Sequence, residues 1–407
     1  MNAETKITAE NKDFEVALNL VETKIKELRN YTPDIAYDKD KLAEVEINKF
    51  FFNGETVDRV MIVLRSNGCE HYKINGGCSM CSHLNGAPLK EKITHENYIK
   101  QWDSVINGSF LGNTVDSFNI DDYPVVCVYN LGSLLNKEEI DLKTVKYIFN
   151  SLNQYKGIKK VIIESRAEYV TEEVLKAIKD VYSGMVEVGI GVESTNYTIR
   201  QLCHHKAIED EEVINLAVKI LHKYGMKALA YVNLKPVFLT EQEAIDDAIS
   251  TSTDCILKYN FDAVSIEPTS LQENSLANYL YNLGVYRVPW LWSLRDIIHG
   301  IYLNIPASKL DIRLGGYFDE EVLSGSQGLG FEGRNEIFPH MTSSNCTYCT
   351  STFINAIKKF NMTYDALELD EVKKCPHCYE IWQNVKKIQD SRIITERVKD
   401  ILGGKGD

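Results

Sequence analysis

The chain has 407 residues, 44% hydrophobic and 25% charged, an ordinary globular balance that can bury a large core without disulfides. Its net charge of −13 argues against autonomous nucleic-acid binding, which draws on basic patches, but leaves room for a local basic stripe or for delivery by a partner. No run of about 18 apolar residues occurs, and the acid-rich opening segment lacks a signal-peptide core, so a cytoplasmic protein with no membrane partner is expected.

Residues 1–50 read as a charged helical N-terminal extension with Phe14, Val16, Leu18, Leu20 and Val21 on its apolar face. Between 51 and 305, six short apolar runs alternate with helical patterns. The runs are 57–64, 124–129, 159–164, 187–193, 227–234 and 263–267, nearly continuously apolar as in parallel strands buried on both faces. Helices are predicted over 137–155, 171–182, 209–224 and 240–256. Thr171 starts one with acids behind it, Gly225 stops another, and Thr240 with Glu243 forms a capping box. Six strand–helix units predict an α/β fold, a partial (β/α)6 barrel, with a doubly wound sheet as the alternative. Beyond 305 the chain turns irregular and Gly-rich (314–333) and then carries four more cysteines, so 306–407 reads as a small appended module with a helical tail.

Ten cysteines in a reducing compartment need a reason other than disulfides, and seven of them fall in close-spaced sets. Cys69, Cys78 and Cys81 are spaced C-x8-C-x2-C, just after the first predicted strand, with glycines at 68, 76 and 77. Three thiolates on such a loop suit an iron–sulfur cluster with one iron left open. A zinc site completed by His71 or His83 is the other reading. The loop lies at the carboxyl end of a parallel array, where active sites of such folds sit.

Cys346, Cys349, Cys375 and Cys378 form two CxxC knuckles separated by 25 residues, the pattern of a closed four-cysteine zinc site. An auxiliary iron–sulfur cluster is the rival, since tetrahedral sulfur suits both. If both sets were structural, the chain would be a zinc-bound interaction protein instead of an enzyme. Cys127, Cys203 and Cys255 are isolated and read as core thiols. His204 and His205 read as surface residues, and Trp290 and Trp292 as core.

The cysteine loop resembles the cluster loop of radical S-adenosylmethionine (SAM) enzymes of the Elp3-like branch. More narrowly, 161–175 (VIIESRAEYVTEEVL), 233–244 (NLKPVFLTEQEA), 266–272 (IEPTSLQ), 286–293 (YRVPWLWS) and 345–349 (NCTYC) resemble, in order, the radical SAM proteins of archaeosine synthase. The likeness spans about 60 to 380. It implies a [4Fe–4S] cluster on Cys69, Cys78 and Cys81 that binds SAM and yields a 5′-deoxyadenosyl radical. It implies Met80 beside the adenine, Gly132 and Ser133 at the SAM amino group, and Glu193, Ser194 and Arg200 at the ribose and carboxylate. Glu164 would belong to the same cofactor site, or form an ion pair with Arg166 at the barrel mouth. Leu131–Gly132–Ser133 stands where the family carries glycine-glycine-glutamate. The implied reaction breaks the lysine carbon–nitrogen bond of a lysine-bearing 7-deazaguanine in tRNA, a lyase-type step in archaeosine synthesis. It calls for an electron donor and a partner that attaches the lysine. Arg166, Asn233, Lys235, Glu267 and Gln272 are the substrate-binding candidates. A small molecule or a free modified nucleoside is the alternative substrate.

Overall fold

The computed structural model describes residues 3–32, 35–83, 87–88, 91–111, 118–316, 321–325 and 342–404. The chain opens with helix α1 (Ala3–Arg29), which buries Ala17, Val21 and Ile25. Strand β1 (Glu44–Phe52) follows, where the sequence reading continues its helical extension to 50. Asn53 (φ 52°) and Gly54 (φ 86°) turn the chain into β2 (Glu55–Val63), an antiparallel hairpin through an Asn-Gly pair in the left-handed region.

Short helix α2 (Glu70–Asn75) and α3 (His95–Ile106) lead to β3 (Val125–Tyr129) and α4 (Leu142–Leu152). The repeat continues through β4 (Lys160–Ser165), α5 (Glu172–Lys179), β5 (Met185–Gly191), α6 (Glu212–Lys223), β6 (Lys227–Leu234), α7 (Glu241–Leu257) and β7 (Ala263–Pro268). Thr171 caps α5 by accepting from the Val174 amide, and Thr240 and Glu243 form the capping box of α7. Then come α8 (Leu276–Asn282), α9 (Leu291–Asn304), β8 (Ile312–Leu314) and β9 (Glu321–Gly325). The C-terminal part holds α10 (Thr350–Thr363), α11 (Leu367–Asp370), α12 (Tyr379–Lys386) and α13 (Ile394–Leu402).

Among the described residues, nine strands join one sheet in the order β8-β7-β6-β5-β4-β3-β2-β1-β9. Strands β2 to β8 are mutually parallel, while β1 runs antiparallel to both β2 and β9. From β1 to β8 strand order follows chain order without a reversal, and β9 returns to pair beside β1. A doubly wound sheet needs a switch point, so this order excludes it and gives the open, partial barrel. The barrel exceeds the six expected strands, because β8 adds a seventh parallel one past the expected boundary at 305 and the β1 hairpin widens the other edge.

Side chains alternate along the strands, as a period of two requires. Val161, Ile163, Val188, Ile190, Ala228, Ala230 and Val232 pack outward under the helices in the main core. Ile162, Glu164, Gly189, Gly191, Leu229, Tyr231, Asn233, Ser265 and Glu267 face the inside of the curl. The apolar packing runs on without a break into the C-terminal part, through Phe353, Ile357, Phe360 and Trp382. Residues 342–404 are therefore packed on the barrel and do not form a separate core. Of the Gly-rich stretch 314–333, residues 317–320 and 326–333 lie outside the described residues.

Candidate active site

The inside of the curl is a cavity of about 1000 Å³, bounded by the cysteine loop and the carboxyl ends of β2 to β8. That is the top of the range for ligand pockets, roughly 300–1,000 Å³, so it has room for a nucleoside cofactor and a second ligand together. Cys69, Cys78, Cys81, Met80, Gly132, Ser133, Glu164, Arg166, Glu193, Asn233, Glu267 and Gln272 all line it.

The cysteine loop is built by its glycines and clamped by one arginine. Cys69 precedes α2, and Gly76 (φ 83°) and Gly77 (φ 82°) reverse the chain behind it. A side chain at Gly76 would meet Ile25 at 2.9 Å, so both the backbone angle and the contact demand glycine. Arg29, the last residue of α1, spends its whole guanidinium on this loop. Its Nε donates to the Gly76 carbonyl (2.8 Å), Nη2 to the carbonyls of Cys78 (2.9 Å) and Cys81 (2.6 Å), and Nη1 to Asn274 O (2.7 Å) and Ser82 Oγ (3.0 Å). The other side is held by Ser79, whose hydroxyl donates to the Cys203 carbonyl (2.6 Å). His71 and His205 add bonds to backbone carbonyls of residues 205 and 77. Arg29→Ala should cost the loop about 3 kcal/mol or more, since it strips buried carbonyls of their donors. Iron retained after anaerobic reconstitution is the readout, and full occupancy in the variant would contradict the clamp.

Burial pushes the Cys69 thiol up to about 11 and Cys81 up to about 12. Such thiols stay protonated at neutral pH without a cation, so the loop fits a positively charged iron centre that ionises them. Leu131 sits at φ 62°, the left-handed region, where the family motif has glycine. The carboxylate of Glu139 ties this segment to the loop, accepting from the amides of Glu70 (2.9 Å) and Ser133 (2.5 Å). Sequence reasoning missed Arg29 and Glu139, because neither lies in a motif and both act on backbone.

Around the cavity wall, Lys206 Nζ pairs with Glu193 at 2.8 Å, both buried. A side chain at Gly191 would press into this pair, so glycine leaves it room. Arg166 donates to Glu168 (2.5 Å) and to the Lys206 carbonyl (2.7 Å). It does not pair with Glu164. Burial pushes Glu164 up to about 7 against a hydrogen bond with Tyr231. Burial does the same to Glu267, whose carboxylate accepts from Ser265 Oγ at 2.6 Å. The Asn233 amide donates to the Glu267 carbonyl (3.0 Å), and Gln272 accepts from the Ser82 amide (2.5 Å).

Three expected residues are not brought to the cavity. Ser194 Oγ donates to Asp247 (2.7 Å) beneath α7. Arg200 lies in a π turn over Ile199–Cys203 and donates to the carbonyls of Ile208, Ser194 and Thr195. Lys235 is buried in a pair with Glu241 (2.6 Å). Each is drawn away by a nearer partner. On the wall beside the cysteine loop, Lys206 and Arg166 supply positive charge instead. His204 and His205 are also corrected, since both are buried rather than on the surface.

At the far end of the cavity, Arg313 and Lys160 pair with Glu187 at 2.7 and 2.5 Å. These cations hold Glu187 down at about 2 although burial opposes it. Of the three, Arg313 lines the cavity.

The second cysteine set also assembles. The sulfurs of Cys346, Cys349, Cys375 and Cys378 all lie within 4.8 Å of one another, with Cys346–Cys375 at 3.4 Å and Cys349–Cys378 at 3.3 Å. Trp292 Nε1 donates to Cys378 Sγ at 3.2 Å. Four thiolates so close can enclose a single metal ion.

A loop of three cysteines at the carboxyl end of a partial parallel barrel is the arrangement of a radical SAM enzyme. No family model matches the chain. Archaeosine synthase subunit beta of Thermococcus kodakarensis is 30% identical over 82% of this chain and 93% of its own length. The same subunit of Methanosarcina acetivorans is 27% identical over 83% and 88%. An uncharacterized Methanocaldococcus jannaschii protein is 29% identical over 88% and 90%. Queuine lyase from Clostridium spiroforme, solved with SAM and queuine, overlays 55% of this chain and 80% of its own at 18% identity and a TM-score of 0.37, so the architecture is taken from the strand order above. The chain belongs to the radical SAM family of archaeosine synthase beta subunits.

Proposed function

We propose that this enzyme cleaves the lysine carbon–nitrogen bond of a lysine-bearing 7-deazaguanine in tRNA, a C–N lyase-type step. The family membership carries the reading. The cavity supports it, because its wall offers both signs of charge. When bound to Cys69, Cys78 and Cys81, the [4Fe–4S] cluster would supply the electron that turns SAM into a 5′-deoxyadenosyl radical source. Met80, Gly132 and Ser133 would seat SAM beside it, with the Glu193–Lys206 pair at the ribose and carboxylate. Lys206 stays charged there because Glu193 offsets the effect of burial. Asn233, Glu267 and Gln272 would hold the substrate on the β6–β7 side, and Arg166 would meet its carboxylate. The four-cysteine site would hold zinc, since a Zn–S bond of about 2.3 Å sets tetrahedral sulfurs about 3.8 Å apart. The relatives' designation as a subunit supports a partner that attaches the lysine. The net charge of −13 favours a second reading, in which the substrate is a small molecule or a free nucleoside.

Reconstituted enzyme, SAM and a reductant should convert lysine-bearing tRNA to the formamidine base, with 5′-deoxyadenosine formed in step. Conversion of the free nucleoside but not the tRNA would establish the second reading. Burial pushes Glu267 up to about 7, and it must be ionised to pair with an ammonium group. Its ionised fraction grows about tenfold from pH 6 to pH 8, so KM should fall by a similar factor. Glu267→Gln should raise KM and flatten the profile. An unaltered profile in that variant would remove Glu267 from substrate binding.

A further inference from the structure

The two cysteine knuckles carry an exposed aromatic pair that the reaction does not use. Tyr348 stands in the Cys346–Cys349 knuckle and His377 in the Cys375–Cys378 knuckle. Their rings stack at 4.7 Å and 26°. Tyr348 is 74% exposed, and Thr347, Pro376 and His377 are exposed around it. A tyrosine this open gains nothing from burial, yet the metal site fixes its backbone on one side and the His377 ring covers one face. The other face is presented to solvent on a rigid mount.

The pair also sits at the mouth of the barrel. Trp292, which donates to Cys378, is in the first turn of α9, and the Trp290 amide and Ser293 hydroxyl donate to Glu241 at the start of α7. Helix α7 begins just beyond the carboxyl end of β6, so the knuckles lie at the same end of the barrel as the cysteine loop. Thr342, four residues before Cys346, lines the cavity itself. Charge changes here as well. Residues 342–404 carry nine Lys and Arg against eight Asp and Glu, so the acidity of the chain lies elsewhere. Lys373 and Lys374 are exposed immediately before Cys375, and Lys374 Nζ lies 5.1 Å from the Tyr379 ring centre.

We propose that the Tyr348–His377 pair is an RNA docking platform, on which an unpaired base of the substrate tRNA stacks while Lys373 and Lys374 meet its phosphates. Stacking on an aromatic face with cations beside it is how single-stranded RNA is held without sequence readout. The platform rests on the tRNA reading above. It explains how an acidic protein could take an RNA substrate, through one local surface beside the cavity.

The test measures tRNA binding by the metal-loaded holoenzyme, by fluorescence anisotropy at low and moderate salt. The double variant Tyr348→Ala/His377→Ala should raise Kd about tenfold. Tyr348→Trp should restore binding, since it keeps the ring. Melting temperature, zinc content and 5′-deoxyadenosine release without substrate should stay at wild-type levels, which separates docking from folding. Equal tRNA affinity in wild type and double variant would overturn the platform and leave the substrate reading standing. No tRNA binding by the wild type, together with turnover of the free nucleoside, would overturn both. Retained tRNA affinity with loss of a co-purifying protein would make the pair a protein-binding surface and overturn the RNA assignment.

Discussion

Replacing any one of Cys69, Cys78 and Cys81 with alanine is expected to remove the iron–sulfur centre and bring 5′-deoxyadenosine formation below detection. The three thiols line the cavity together, on a loop whose carbonyls at Cys78 and Cys81 are already taken by Arg29. The neighbouring His71 cannot stand in. Its Nε2 is committed to the carbonyl of residue 205 and its Nδ1 to the Asn75 side chain. It could not approach a metal without breaking one of those bonds. Iron and sulfide analysis beside a SAM-cleavage assay checks the expectation. A Cys78→Ala protein that keeps four irons and cleaves SAM would show that the ligands are elsewhere.

The second large effect is expected at the other cysteine set. Chelation of its metal, or Cys375→Ala, should loosen residues 342–404 while the cluster loop stays loaded. Structural zinc contributes about 10–16 kcal/mol of apparent folding free energy in small zinc peptides, as much as the whole stability of a typical domain, about 5–15 kcal/mol. Here the knuckles also hold an aromatic cluster. Trp292 packs edge-on against Phe353 and Tyr379 at 5.0 and 5.1 Å, and Trp382 Nε1 donates to Ser293 (3.0 Å). Without the knuckles the two buried indoles meet water. A red shift of tryptophan emission and rapid proteolysis after residue 341 should follow. Unchanged emission and melting after complete metal removal would deny the site a structural role. Iron rather than zinc in the purified protein would assign it to an auxiliary centre.

The parallel strands were legible because burial on both faces makes them continuous apolar runs, and the caps at Thr171 and Thr240 were legible because capping is local chemistry. Strand β1 was not read, although Val45 and Ile47 alternate and Asn53-Gly54 marks its hairpin. The acids and the lysine between them resemble an exposed helix when no partner strand is visible. Strand β8 is three residues long and has no periodicity to show. The cysteine sets were legible from spacing alone. What spacing could not supply was direction. Ser194, Arg200 and Lys235 lie close in sequence to strand ends that face the cavity, yet each is turned outward by a partner that no spacing rule marks, Asp247, the Ile208 carbonyl or Glu241. Lys206 was passed over as a site residue for the same reason in reverse.

The Arg29 clamp bears on what the enzyme needs in order to hold its cofactor. Helix α1 that carries it leans on the last helix, where Lys399 pairs with Asp13 at 3.0 Å and Gly403 lies against Leu20. The cysteine loop is thus braced by the first segment of the chain, and that segment is braced by the final one. Loss of α13 should therefore loosen α1 and, through Arg29, the cysteine loop, so the capacity to hold iron rests on a helix remote from the thiols in sequence. Chains ending before residue 394 should hold less iron than full-length ones under the same anaerobic conditions. Equal loading would show that the brace is dispensable for holding the cofactor.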